Sequence, residues 1–184
     1  PDARGFAIDA LGNLLVASPQ DSAVYQVNPQ AQVSVFARVY NARALALDLD
    51  GSIWASAVDT VHHFDAKGRL LGSIDVRTDG AAAFGIQVSP QGEPHFSNFA
   101  GLWKLSSGTP VSVITDQPLR NRGFALDGDG NIYWAREAIE TGDTDRVILY
   151  NPSGQVVHDT IIGQVTDPCL ITFLRDSQGA STRR

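Results

Sequence analysis

The hydrophobic positions of this chain come in short runs separated by turn residues, and the runs return in a fixed order. Gly5-Phe6-Ala7-Ile8-Asp9, closed by Gly12-Asn13, recurs as Ala44-Leu45-Ala46-Leu47-Asp48 with Gly51-Ser52. It returns as Gly85-Ile86-Gln87-Val88-Ser89 with Gly92-Glu93, and as Gly123-Phe124-Ala125-Leu126-Asp127 with Gly130-Asn131. A frayed fifth copy runs from Leu170 to Gly179. The turn glycines Gly12, Gly51, Gly92, Gly130 and Gly179 stand 39, 41, 38 and 49 residues apart. Each unit reads as four short strands. In the first unit these are Gly5 to Asp9, Leu14 to Ala17, Val24 to Val27 and Val33 to Phe36. The third and fourth are joined by turn chemistry: Asn28-Pro29, then Asp65-Ala66-Lys67-Gly68 and Asn151-Pro152-Ser153-Gly154 in later units.

The second strands, such as Ile53-Trp54-Ala55 and Ile132-Tyr133-Trp134-Ala135, are nearly continuously apolar rather than alternating. That pattern suits a sheet covered on both faces. Four short strands in about 40 residues, each sheet sandwiched between neighbours, is the signature of a propeller blade. The expected fold is therefore all-β: a β-propeller of four-stranded antiparallel blades over residues 4–41, 42–81, 82–120 and 121–168, with a partial blade at 169–184. Six such blades need about 240 residues. The chain thus reads as four blades plus one strand of a larger six-bladed ring, with a closed four-bladed ring as the alternative.

Composition narrows the function classes. The chain has 184 residues, 14 Lys and Arg against 20 Asp and Glu, and a net charge of −6. An acidic domain is a poor match for nucleic acid, where clustered cations drive binding. No apolar run approaches the roughly 18 residues that span a bilayer. The single cysteine, Cys169, excludes an intrachain disulfide framework. There is no methionine, and the chain opens on Pro1-Asp2-Ala3-Arg4. This agrees with a piece of something longer, from which a targeting signal would be missing.

Antiparallel order puts the first-to-second and third-to-fourth turns on one rim and the remaining loops on the other. The variable loops of that second rim are the expected place for binding. Arg4, Arg43 and Arg122 stand five residues before the turn Asp of their units; Phe84 and Cys169 take that place in the third and fifth units. Three arginines around a channel would suit a carboxylate or phosphate, which guanidinium binds in a bidentate fork. The competing reading is that each arginine braces its own blade through a local carboxylate or carbonyl. Two positions upstream lie the oxygen donors Asp2, Asn41 and Asp167, candidates for a divalent cation such as calcium or for plain turn formation. The longest loop, Arg136 to Arg146, carries Glu137, Glu140, Asp143 and Asp145 without the spacing of a calcium loop, and reads as a solvated insertion.

The stretch Arg4-Gly5-Phe6-Ala7-Ile8-Asp9 with Gly12-Asn13-Leu14-Leu15-Val16-Ala17, repeated in Arg122-Gly123-Phe124-Ala125-Leu126-Asp127 with Gly130-Asn131-Ile132-Tyr133, resembles the NHL repeat. The proline that usually precedes the arginine is replaced by Ala3, Ala42 and Asn121. The resemblance covers nearly the whole chain and implies a six-bladed propeller serving as a binding platform. The chain also resembles the regucalcin and gluconolactonase propellers, which implies a metal-dependent lactonase with a divalent cation in the channel. In that family Asn and Asp ligands occupy the place held here by Arg4, Arg43 and Arg122, and arginine donates rather than ligates. A metal site would have to shift to Asp2, Asn41 and Asp167.

Other chemistry is sparse. The chain has no G-x-S-x-G elbow and neither of the glycine-rich phosphate motifs. His62 and His63 are adjacent on a strand and point to opposite faces. Trp54, Trp103 and Trp134 fall on blade strands and read as core between blades, and His95 and His158 also lie on strands. Two function classes follow. One is a binding module for a small anionic ligand or a protein segment at the channel rim; the other is a metal-dependent lactone or ester hydrolase.

Overall fold

A computed structural model describes residues 3–77, 83–115, 121–136 and 145–163. They form sixteen strands in four sheets. The first sheet holds β1 (Gly5–Ile8), β2 (Leu14–Ser18), β3 (Ala23–Val27) and β4 (Val33–Arg38). The second holds β5 (Ala44–Leu47), β6 (Ile53–Ser56), β7 (Thr60–Phe64) and β8 (Leu70–Asp75). The third holds β9 (Gly85–Val88), β10 (Pro94–Asn98), β11 (Gly101–Ser106) and β12 (Thr109–Ile114). The fourth holds β13 (Asn121–Leu126), β14 (Ile132–Arg136), β15 (Asp145–Tyr150) and β16 (Val156–Gly163). Every pairing is between consecutive strands and antiparallel. Among the described residues no helix is long and apolar enough to cross a membrane.

The turns are built by their acidic and amide side chains. Asp9 Oδ1 accepts hydrogen bonds from the backbone N–H of Leu11 and Asn13, both at 2.9 Å. Asp127 repeats this with Asp129 and Asn131. The turns between third and fourth strands use Asn28, Asp65 and Asn151 in the same way. At the fourth position of those turns Gly68 and Gly154 have φ of 80° and 81°. The first sheet places Ala31 there, with φ of 60°. A side chain in this left-handed region costs about 1–2 kcal/mol that glycine avoids, less the extra entropy glycine loses on folding. Ala31→Gly is therefore expected to stabilise the protein by about 0.5–1 kcal/mol, read as a higher urea midpoint at unchanged slope.

Three apolar cores lie between successive sheets. Leu15, Ala17 and Val24 of the first meet Leu45, Ile53, Ala55 and Phe64 of the second. Ala46, Trp54 and Val61 of the second meet Ile86, Val88, Phe96 and Leu105 of the third. Leu102 and Ile114 of the third meet Phe124, Leu126, Ile132 and Trp134 of the fourth. The tryptophans thus belong to the core: Trp54 and Trp134 are buried, and Trp103 packs against the second cluster. Leu45, Ile53 and Phe64 of the second sheet, Ile86, Phe96 and Leu105 of the third, and Phe124, Ile132 and Trp134 of the fourth face the sheet before them. In the first sheet that face has nothing on it among the described residues. Two rows cross it, Phe6-Val16-Tyr25-Val35 and Ile8-Leu14-Val27-Val33, and Phe6 and Ile8 are 58% and 65% exposed. The expectation that second strands are covered on both faces holds for β6 and β10, which are buried throughout. In β2 burial alternates, and among the described residues no sheet covers its second face.

Candidate functional site

The innermost strands β1, β5, β9 and β13 line up side by side, and the residue before each ladder's first matched pair is placed alike. The N–H of Arg4 bonds Ala17 O at 3.0 Å, that of Arg43 bonds Ser56 O at 2.8 Å, and that of Phe84 bonds Ser97 O at 2.8 Å. Arg122 stands at the corresponding place on β13, one residue before the Gly123–Ala135 pair; its side chain lies outside the described residues. The alignment of Arg4, Arg43 and Phe84 expected from the repeat is thus a structural one.

Arg43 is half-buried, and its Cζ lies 5.1 Å from the centroid of the Phe84 ring. Burial, and next the nearby charge of Arg4, push its pKa below the ordinary guanidinium range. Among the described residues no carboxylate pairs with the Arg43 guanidinium. A half-buried guanidinium with no carboxylate partner is disfavoured by its partial desolvation, and an oxyanion bound to it offsets that cost.

Phe84, which interrupts the arginine series, continues the site. Its ring meets that of Phe99 at 4.4 Å and 76°, edge to face. Phe99 is 55% exposed at the tip of the β10–β11 turn. The turn is held by the buried Asn98, whose Oδ1 accepts from the N–H of Ala100 at 2.9 Å, that of Gly101 at 3.1 Å and the indole N–H of Trp103 at 3.1 Å. The repeat places Phe84 at the arginine position without giving it a role, and Phe99, the aromatic directly after Asn98, carries no repeat signal.

Of the metal candidates, Asn41 is described, with φ of 54°, beside Pro19, Gln20 and Tyr40 at an open depression of about 420 Å³. Asp2 and Asp167 lie outside the described residues. Among the described residues no group of three His, Cys, Asp or Glu side chains can hold a metal ion. Of the acidic loop, Asp145 opens β15 and is buried rather than solvated, while Glu137, Glu140 and Asp143 lie outside the described residues. So does Cys169. The histidines have separate partners. His62 shares a hydrogen bond with Ser73 at 2.8 Å, and His63 stacks on Trp54 at 4.0 Å and shares one with Ser52 at 2.7 Å. His95 donates from Nδ1 to Glu93 O at 2.9 Å, and burial holds its pKa below the ordinary imidazole value.

Among solved structures, the chain is similar to virginiamycin B lyase from Staphylococcus aureus, at TM-score 0.72 and 14% identity over 97% of this chain and 61% of that one. It is also similar to a Xanthomonas campestris gluconolactonase, at TM-score 0.73 and 14% identity over 96% of this chain and 67% of that one. The fold is a β-propeller. A third likeness is to the calcium-binding protein regucalcin from Agrobacterium tumefaciens, at TM-score 0.67 and 15% identity, covering 96% of this chain and 65% of that one. The propeller spans 61% of the length of the lyase. No family model matches the sequence, and the search of curated proteins gives no match either.

Proposed function

We propose that this propeller is an NHL-like binding module that takes a small anionic ligand at its channel rim, with Arg43 as the principal anchor and Arg4 and Arg122 beside it on the neighbouring inner strands. The observation that carries this reading is the Arg43 guanidinium. It is half-buried, set over Phe84, close to the charge of Arg4, and without a carboxylate partner among the described residues. Guanidinium in that setting keeps its N–H donors for a carboxylate or phosphate.

Titration of the full chain with acetate and with inorganic phosphate at low ionic strength, followed by amide chemical shifts, tests the reading. Binding is expected to perturb the backbone around Arg4, Arg43 and Phe84 and to weaken as salt is added. Arg43→Ala is expected to lower the affinity about tenfold, the size of one charge-assisted hydrogen-bonded contact. Arg43→Lys should fall between, because a point charge replaces the planar fork. No shift with either anion, or an unchanged affinity in Arg43→Ala, would show the reading to be wrong.

A metal-dependent lactone or ester hydrolase is the second reading. It draws on the gluconolactonase and calcium-binding neighbours, and on Asn41 at the rim depression. Asn41 alone does not make a cation site, so no reaction step is derived through a metal. A calcium- or zinc-dependent rise in thermal midpoint that Asn41→Ala removes, with hydrolysis of an aldonolactone, would favour this reading over the first.

A further inference from the structure

We propose that the rim selects anions carrying a flat aromatic ring, with Arg43 taking the charged group and Phe99, braced by Phe84, taking the ring. This deepens the anion reading above and rests on it. The geometry is a continuous row: the Arg43 guanidinium carbon 5.1 Å from the Phe84 centroid, and the Phe84 ring edge to face with Phe99 at 4.4 Å.

Each part of the row has a job that an anion alone would leave unused. Contact between a guanidinium and a ring occupies no hydrogen-bond donor, so Arg43 keeps its N–H groups for an oxyanion while Phe84 fixes where they sit. Phe99 is more than half exposed, yet its turn is held by a buried side chain. The buried Asn98 side chain ties down Ala100, Gly101 and Trp103 at once. A stiff turn that holds a large apolar ring in water presents preformed contact area, and binding to it costs little conformational entropy. Aromatic rings meet edge to face or offset, and the exposed side of Phe99 offers that contact to a ring whose carboxylate or phosphate reaches Arg43. A bare small anion gains the contact with Arg43 alone, weakened by solvent and salt, and leaves the Phe99 ring unused.

The test compares benzoate, acetate and benzyl alcohol binding to the full chain by chemical-shift titration, with Phe99→Leu and Arg43→Ala as variants. Benzoate is expected to bind about tenfold tighter than acetate, near the upper end of what one aromatic pair contributes. Benzyl alcohol, which lacks the charge, is expected to bind much more weakly than benzoate. Phe99→Leu is expected to remove the preference, so that benzoate and acetate bind alike; an unchanged thermal midpoint shows that the turn is intact. If benzoate and acetate bind equally to the parent chain, or if Phe99→Leu keeps the preference, the aromatic selection is wrong and the anion reading stands. If neither anion binds, both fall. If benzyl alcohol matches benzoate and Arg43→Ala changes nothing, the ring binds without the anchor and the proposal is overturned.

Discussion

Phe96→Ala is expected to cost about 3–5 kcal/mol, the usual range for removing a fully buried phenylalanine. Phe96 sits on β10 with no exposed surface and belongs to the core between the second and third sheets. It pairs across its own sheet with Ile86 on one side and Trp103 on the other. Its side chain fills the gap between the second and third sheets, and strands held by ladders on both sides collapse poorly onto a void. Equilibrium urea unfolding gives the cost as a shift in midpoint at constant slope. The informative control is Val16→Ala. Val16 pairs with Phe6 as Phe96 pairs with Ile86, so the two residues hold the same register position in their sheets. The Val16 face carries no neighbouring sheet among the described residues, and its truncation is expected to cost less than about 1 kcal/mol. Equal costs at the two positions would mean that the open face is covered in solution.

The repeat was legible because it is written in turn chemistry and in period. Asp9, Asp127, Asn28, Asp65 and Asn151 each brace a turn through their own side chains, and glycines stand where φ is positive. Such local signals survive without any knowledge of packing. Among the described residues strand positions followed from them to within two residues; the fifth copy, Leu170 to Gly179, lies outside the described residues. The face of the first sheet that no sheet covers among the described residues was not legible. Phe6, Ile8, Leu14 and Val16 are as apolar as Leu45, Leu47, Ile53 and Ala55, and only the presence of a neighbour separates the two sets.

The candidate site divides the same way. Arg4 and Arg43 could be aligned by counting, since inner-strand position is fixed by the turn that follows. Phe84 looked like a gap in that series because the count asks for an arginine. Its contact is with Phe99, which lies on a different loop and reaches it through a turn set by Asn98. An interaction between two loops has no period to read.

Gly5→Val is expected to cost about 2–3 kcal/mol and to disturb anion binding in the molecules that still fold. Gly5 begins β1 where the inner strands crowd together. A Cβ there would lie 2.6 Å from Ala44 Cα and 2.6 Å from the Arg43 carbonyl oxygen, with Leu45 N at 3.1 Å. All three are backbone atoms, so no side-chain rotation can relieve the overlap, and β5 must move away from β1. The matching positions in the other sheets are also small: Ala44, Gly85 and Gly123. The residue displaced is the one whose guanidinium anchors the proposed ligand, and its neighbour across the gap is Arg4. Stability and binding are thus coupled through one backbone contact. Unfolding midpoints and acetate titration of Gly5→Val, set beside Gly72→Val as a control with open space around its Cβ position, measure both effects. A Gly5→Val protein with parent-like stability and parent-like anion affinity would mean that β1 and β5 do not approach this closely in solution, and the alignment of Arg4 with Arg43 would fall with that contact.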